Sequence, residues 1–345
     1  MKSTRSYVLV LIIALIAGCK KNEEEEISSV TYSTFWVERS AWTISSIPVD
    51  AQIDSVRGRI RWYNPELNHG VPVQDVHPNR VVNSQAPNIL PSLTLRFDPD
   101  TLSAYPAHSW GGIMRYLGEG YADLSHDQFL EFWLQLPPNT EGRLVIDLGK
   151  ISEDALPNGR MDTEDRPVGG GPCASPQQEC GNGLLDRNPD EDTGLDQVFG
   201  VDPSDSAFWN GEDRPKVPSW DDWSYNPQDG NPEQVNGTER NRNAEGGGYP
   251  DTEDLNNDDF LNTGNNYFSY SMEIADSTWW MVGGFDNVYH WRQVRIPIQN
   301  PNPEFRRTVG NPEMTNVRWI RMYLTGMTHS VRLKLVEMDL ISDQP

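Results

Sequence analysis

The chain has 345 residues, with 51 acidic and 28 basic side chains and a formal net charge of −23. Such a charge argues against a nucleic-acid-binding protein, because phosphates would be repelled. The sequence also contains 12 Trp, 12 Tyr and 10 Phe, far more aromatic surface than an intrinsically disordered chain carries. We therefore expect a folded protein with one large domain or two ordinary ones.

The first residues resemble an export signal. Lys2 and Arg5 precede an apolar run, 7–17, which is too short to span a bilayer but suits the core of a signal peptide. The run ends in Leu-Ile-Ala-Gly-Cys, which resembles the lipobox of bacterial lipoproteins, in which the Cys, here Cys19, is acylated and becomes the mature N-terminus. We predict a lipoprotein signal peptide over 1–19. The alternative is a plain secretory signal that happens to contain a Cys.

A polar tether, 20–29, follows the predicted lipid anchor. It contains two lysines and then four consecutive glutamates at 23–26, a composition that stays solvated. Acidic residues just after the acylated Cys resemble the surface-export signal of Bacteroidetes lipoproteins, and a spacer without an address is the alternative. We expect a protein anchored by lipid in the outer membrane, at the cell surface.

Much of the remaining chain alternates apolar and polar residues with a period of two. This alternation is typical of half-buried antiparallel strands, and Gly, Pro and Asn separate most of the segments. No long period of 3.6 residues is present, so helix should be scarce, with a turn near 125–128. The sequence predicts an all-β fold, a jelly-roll-like antiparallel β-sandwich. The predicted strands are 56–62, 93–97, 129–136, 143–148, 268–274, 291–298, 317–324 and 330–341.

The middle of the chain, 151–265, has a different composition. It holds 26 of the 51 acidic residues but only 7 of the 28 basic ones, and Gly, Pro, Asn and Asp dominate it. We predict that 30–150 and 266–345 are the two halves of one sandwich and that 151–265 is an insertion between them. A loop of that length needs something to order it. The alternative is disorder, against which stand its aromatic residues at 209, 220, 223 and 225.

Calcium is the predicted ordering agent. The sequence Asp-Thr-Glu-Asp occurs at 162–165 and 251–254, and the second copy continues with oxygen-bearing side chains at alternate positions. A tight turn lets such side chains converge on a hard cation, which takes about six to eight oxygen ligands. Asp259 and Asn265 replace the Gly and Glu of an EF-hand loop, so the match is partial, and a solvated acidic loop is the alternative. The predicted ligands are Asp162, Glu164, Asp165, Asp186, Asn188, Asp190, Asp192, Asp251, Glu253, Asp254, Asn256, Asp258 and Asn262.

Two further features of the insertion bear on its chemistry. Cys173 and Cys180 should pair as a disulfide in an exported protein, and two Cys without a nearby His make a poor zinc site. Trp220 and Trp223 are candidates for stacking on sugar rings, because exposed aromatics often mark a binding surface. The alternative is that these rings seal the insertion against the sandwich.

Several segments together resemble the gliding-motility cell-surface protein family SprA of Bacteroidetes, which belongs to type IX secretion. Examples are Ser-Trp-Gly-Gly-Ile-Met-Arg at 109–115 and the acidic repeats described above. The resemblance runs in order from about residue 55 to 341. It implies one globular β-sandwich unit of that family, detached and given its own lipid anchor, and it does not imply translocon activity. The matching segments are 59–64, 109–115, 129–133, 146–149, 151–159, 162–165, 191–196, 249–254, 291–297 and 318–326.

The sequence does not favour an enzyme. Its six His are scattered, and it has no Gly-x-Ser-x-Gly, no His-Glu-x-x-His and no phosphate-cradling loop. Composition alone leaves a glycosidase open, but the acids cluster in a loop rather than beside a cleft. The first hypothesis is a SprA-like surface protein linked to secretion or gliding components. The second is a calcium-dependent, carbohydrate-binding lipoprotein that contacts an envelope glycan.

Overall fold

Antiparallel β-strands make up almost all of the regular structure in this computed structural model. The described residues form fourteen strands, one four-residue α-helix (Val73–Val76) and short 3₁₀ turns, all within one compact unit, 32–345. The structure describes 37–49, 57–65, 70–82, 88–100, 105–118, 123–165, 182–185, 192, 194–195, 223, 225, 232, 235–241, 247–275 and 280–342.

Two six-stranded sheets face each other, and a small two-stranded sheet accompanies them. The first sheet contains, in spatial order, β1 (Thr43–Ile44), β6 (Trp110–Tyr116), β13 (Trp319–Thr325), β8 (Arg143–Lys150), β9 (Asn266–Glu273) and β12 (Arg307–Val309). The second contains β10 (Met281–Gly283), β11 (Trp291–Pro297), β7 (Asp127–Gln135), β14 (Val331–Ser342), β5 (Leu93–Asp98) and β2 (Arg59–Tyr63). The small sheet pairs β3 (Val71–Pro72) with β4 (Ile89–Leu90).

The strand pairing is that of a rolled-up antiparallel ribbon. Strand β5 pairs with β14, β6 with β13, β7 with β11, and β8 with β9. Successive pairs alternate between the second sheet and the first, which is the connectivity of a jelly roll. The predicted all-β sandwich is therefore confirmed, and each sheet combines strands from before and after the insertion.

The core lies between the two sheets because inward-facing positions are apolar at every second residue. On β13, Ile320, Met322 and Leu324 are fully buried, and they meet inward side chains from the facing sheet, such as Phe132 and Leu335. Each buried side chain of this size contributes about 1.5–3 kcal/mol of hydrophobic stabilisation. The alternation that predicts the strands in the sequence is thus the alternation that builds the core.

All eight predicted strands are present, with bounds shifted by up to three residues. Strand β6 was not predicted from periodicity, because Gly111 and Gly112 interrupt its apolar pattern. A neighbouring side chain approaches the backbone closely at both positions, which leaves room only for Gly. A Cβ at Gly111 would lie 2.7 Å from the Phe97 ring, and one at Gly112 would lie 2.6 Å from Cβ of Tyr323. The turn predicted near 125–128 is observed at 125–126, immediately before β7, which begins at Asp127.

The insertion, 151–265, leaves the sandwich between β8 and β9, which are neighbours in the first sheet. Lys150 is opposite Asn266 in that ladder, so both ends of the insertion start from adjacent backbone positions. Asn236 of the insertion hydrogen-bonds both the N–H and the C=O of Trp62 on the edge strand β2, at 2.9 and 2.8 Å. The insertion therefore covers an unpaired sheet edge. Among the described residues, no helix is both long and apolar enough for a membrane crossing.

Candidate functional site

The two Asp-Thr-Glu-Asp copies lie side by side. Thr163 and Thr252 form an antiparallel bridge. The Glu164 N–H donates to the Asp251 carbonyl at 3.1 Å, and the Glu253 N–H donates to the Asp162 carbonyl at 3.0 Å. The sequence repeat therefore corresponds to a paired structural unit, which we call the acidic clasp (151–165 together with 247–265).

The glutamates of the clasp exchange equivalent hydrogen bonds. Oε2 of Glu164 accepts from the Asp251 N–H at 2.8 Å, and Oε2 of Glu253 accepts from the Asp162 N–H at 3.0 Å. Each Glu thus binds the backbone of the first Asp in the opposite copy. This reciprocity gives the clasp approximate two-fold symmetry. Each of the two carboxylates accepts a hydrogen bond from a backbone N–H group of the other copy.

A second repeat overlaps this centre, with Glu-Asp at 153–154 and again at 253–254. Oε2 of Glu153 accepts a hydrogen bond from the Asn262 N–H at 3.2 Å. Oε2 of Glu253 accepts the equivalent bond from the Asp162 N–H, so Asp162 corresponds to Asn262 in this repeat. The other oxygen of each glutamate also accepts a backbone N–H, from Leu255 for Glu153 and from Leu156 for Glu253. This second repeat aligns 153–162 with 253–262, which differs from the alignment of 162–165 with 251–254 in the Asp-Thr-Glu-Asp motif.

The aspartates that follow these glutamates each close a loop. Asp154 accepts from the N–H groups of Asn158 and Gly159 at 3.2 and 3.0 Å. Asp254 accepts from those of Asp258 and Asp259 at 3.0 and 2.8 Å. Gly159 and Asp259 have φ of 70° and 65°, the left-handed region in which Gly and Asp are tolerated best. Backbone N–H groups hold these carboxylates, which explains how so many acids pack into one unit.

Glu164 is the most unusual carboxyl of the clasp. Its side chain is fully buried, and Oε1 accepts no hydrogen bond of normal geometry. Burial, together with the negative charges of Asp251 and Asp192, raises the pKa of Glu164 to about 10, although the N–H groups of Asp251 and Gly194 partly oppose the shift. This carboxyl is uncharged at neutral pH unless a cation accompanies it.

Glu253 and Glu153 show the same effect to a smaller degree. Burial raises the pKa of Glu253 to about 7, although two backbone N–H groups donate to its carboxylate. Burial also raises the pKa of Glu153 above its usual value. The clasp is therefore proton-linked: several of its carboxyls ionise at a higher pH when folded than when unfolded.

The predicted calcium ligands divide between described and undescribed parts of the chain. The clasp contains nine of them, at 162, 164, 165, 251, 253, 254, 256, 258 and 262, and Asp192 lies beside it. Within the part that the structure describes, no three His, Cys, Asp or Glu side chains are placed to hold a metal ion. Calcium therefore stays a prediction. Predicted residues outside the described ranges are Cys19, Cys173, Cys180, Asp186, Asn188, Asp190 and Trp220.

Trp223 is the described member of the predicted sugar-stacking pair. It is half-buried, its backbone N–H donates to the Glu239 carbonyl at 2.8 Å, and its indole Nε1 is buried without a hydrogen-bond partner. Trp280, which follows the insertion, is buried in the core against Phe305.

Sequence reasoning missed a pocket on the outer face of the first sheet. The segment 45–49 crosses part of this face: the Ser46 carbonyl accepts from Arg321, which is buried in an ion pair with Asp147 at 2.6 Å. Beside this segment, in the part of the chain that the structure describes, a cavity of about 460 Å³ lies over β6, β8, β9 and β13. The alternating pattern predicts that these residues face outward, but it does not predict which part of the face stays uncovered.

Comparison with known proteins connects the second half of the chain with motility and secretion. Residues 219–344 match the SprA_N family, described as a motility related/secretion protein. The match covers the second segment of the clasp, 247–265, and all strands from β9 to β14. The predicted resemblance to a SprA unit is therefore confirmed over these residues. No curated protein matches the chain.

Proposed function

We propose that the protein is a lipid-anchored protein of the cell surface, with a binding or structural rather than catalytic role beside secretion or gliding components. The family match over 219–344 is the observation that carries this proposal. The lipobox-like sequence ending in Cys19 and the acidic tether support the anchor and its location. The proposed anchor is lipid on Cys19, which leaves the sandwich free to face the medium.

Metabolic labelling with a radioactive fatty acid tests the anchor. The full chain should incorporate label, whereas Cys19→Ala should not, because the acyl acceptor is gone. Cys173→Ala and Cys180→Ala are matched controls that should keep the label. Equal labelling of Cys19→Ala and the wild type would contradict lipidation at this residue.

Protease treatment of intact cells tests the surface location separately. Digestion of the full chain without cell lysis is the expected result. A variant with Ala at 23–26 should remain lipidated but become protected, if the four glutamates are the export address. Protection of the wild type in intact cells, with digestion after lysis, would place the protein on the periplasmic side.

A role beside secretion or gliding is tested by deleting the gene and measuring colony spreading and the secreted proteins. Restoration by the full chain but not by Cys19→Ala is expected, because an unanchored protein would leave the membrane. Unchanged spreading and secretion in the deletion strain would remove the association.

We further propose that calcium stabilises the acidic clasp. The support is chemical: carboxylates and amide oxygens are ligands that calcium prefers, and the buried Glu164 lies beside Asp251 and Asp192. A cation there would supply the positive charge that otherwise has to come from a proton. Calorimetric titration of the full chain in detergent should show saturable calcium binding, and a chelator should lower the melting temperature. Glu164→Gln should weaken binding, and no heat with unchanged melting would refute the proposal.

A further inference from the structure

We infer that the pocket on the outer face of the first sheet binds a short acidic saccharide, that is, a sugar oligomer bearing carboxylates. This inference deepens the binding role proposed above and rests on it. None of the pocket's described lining residues belongs to the acidic clasp, so the two sites are argued from different residues.

The pocket arises from the different sizes of side chains that are neighbours across the strands of the first sheet. Tyr323 of β13 lies opposite Val145 of β8, and Val145 lies opposite Ser271 of β9. Neighbouring strands are about 4.8 Å apart, so a large side chain next to two small ones leaves a depression beside it. Trp110 closes the end of the same floor and packs edge-on against Tyr323, with ring centroids 6.4 Å apart.

Two turns raise walls around this floor. One turn carries Phe305, whose ring is fixed against Trp280 with centroids 5.9 Å apart. A second turn carries His108, which lines the pocket and whose ring stacks on that of Tyr105 at 5.1 Å with an interplanar angle of 19°. Tyr105 is 66% exposed. The floor and both walls therefore offer apolar and aromatic side chains, among them Trp110, Phe305 and Tyr323, which suit the C–H faces of sugar rings.

The polar groups of the pocket suit a ligand that has both hydroxyls and carboxylates. Ser269 and Ser271 of β9 line the pocket with two hydroxyls, and the exposed Arg143 and Arg307 line it as well. Guanidinium groups are the preferred partners of carboxylates because they offer two parallel N–H donors. Arg143 lies 3.6 Å from Glu273 in an exposed pair, a weak contact that a ligand carboxylate can replace.

The charge of the pocket differs from that of the protein. Its described lining contains two Arg and one carboxylate, Glu304, in a chain whose net charge is −23. Glu273, which pairs with Arg143, balances the second Arg, so the pocket is close to neutral and lacks the excess negative charge that would repel an anion elsewhere on the protein. The cavity of about 460 Å³ falls within the usual range for small-ligand sites, and it is larger than a single inorganic ion requires.

The test is calorimetric titration of the full chain in detergent with trigalacturonate as the probe. Its methyl ester is the uncharged control, and a short Glu-containing peptide is the control for carboxylates without sugar. Arg143→Ala and Arg307→Ala should each weaken trigalacturonate binding by about tenfold, in line with a charged hydrogen bond. Arg332→Ala, an exposed Arg on the other sheet, should leave it unchanged. Ser271→Trp, which fills the floor, should abolish binding while the melting temperature stays close to that of the wild type.

Each outcome decides the inference. Binding of trigalacturonate above that of its ester and of the peptide, lost in the two Arg variants, supports it. Equal binding of the ester overturns the acidic class, equal binding of the peptide overturns the saccharide, and no binding by a folded protein overturns the site. These results do not depend on labelling of Cys19 or on surface location, so failure of the inference and failure of the proposed function are distinguishable.

Discussion

Glu164 predicts an unusual pH dependence of stability in the absence of divalent cations. Its pKa in the folded protein, about 10, lies above its ordinary value of 4.5. The folded state therefore keeps a proton that the unfolded state releases. The stability contributed by this group is fully present below pH 4.5 and is lost as the pH rises toward 10. An acidic protein should accordingly become less stable between pH 5 and pH 7.

The size of the effect follows from proton linkage. Each pH unit over which only the unfolded state is ionised changes the free energy of unfolding by about 1.4 kcal/mol. Between pH 5 and pH 7 the loss attributable to Glu164 is about 2.5 kcal/mol, and this figure requires only that its pKa in the folded state be well above 7. Glu253, with a pKa of about 7, adds a fall of the same sign over this range. That second contribution persists when Glu164 is replaced.

Urea unfolding of the full chain, followed by tryptophan fluorescence at pH 5, 6 and 7 with a chelator, measures this effect. Glu164→Gln mimics the protonated side chain, so its stability should fall by about 2.5 kcal/mol less than that of the wild type over the same range. Glu313→Gln, at an exposed turn, is the matched control and should follow the wild type. Parallel curves for the wild type and Glu164→Gln would refute a neutral, buried Glu164. Added calcium should flatten the wild-type curve, if a cation replaces the proton.

Three further predictions concern the scaffold, and each is measured by urea unfolding. Replacing Arg321 by Leu should cost about 3–5 kcal/mol because it leaves Asp147 buried and unbalanced, and replacing both by Leu should recover most of the loss; equal losses would contradict a buried pair. Gly149→Ala should cost several times more than Gly159→Ala, because a Cβ at Gly149 would meet backbone at 2.3 Å whereas none is near Gly159; similar costs would count against the close approach at β8. Asn236→Ala should cost about 1–3 kcal/mol by exposing the edge of β2, and no change would show that the insertion does not protect that edge.

The strands could be predicted because one face of each packs into the apolar core, although both faces of β8 and β13 are buried. Alternation in segments such as 143–148 and 317–324 reflects the contact of one face with the core. Pairing between distant strands left no comparable trace, so the partners of each strand could not be predicted from the residues. Strand β6 escaped because two of its positions must be Gly to admit Phe97 and Tyr323. A steric requirement from elsewhere in the fold overrode the local pattern.

The clasp was half visible in the sequence. The repeated Asp-Thr-Glu-Asp pointed to a structural unit, but alternate oxygens suggested side chains converging on a cation. In the structure many of these oxygens instead accept backbone N–H groups. The signal that could have indicated this is the Glu-Asp pair at 153–154 and 253–254, each followed by Asp or Asn at the tenth position of its repeat. The pocket had no signal, because its shape depends on which outward side chains the chain leaves uncovered.

The position of the clasp follows from the rolled ribbon. Strands β8 and β9 form its innermost pair, and Lys150 lies opposite Asn266 where they end. The two arms then continue in almost the same register: the Glu153 N–H donates to the Asn262 carbonyl, and ten residues further along each arm Thr163 meets Thr252. The sheet has already brought both arms together, so the clasp forms with little additional loop-closure entropy. The insertion therefore begins as an extension of the central hairpin. Buried carboxyls such as Glu164, whose ionisation opposes folding, are tolerated there because the β8–β9 ladder already holds the two arms together and lowers the entropy cost of forming the clasp.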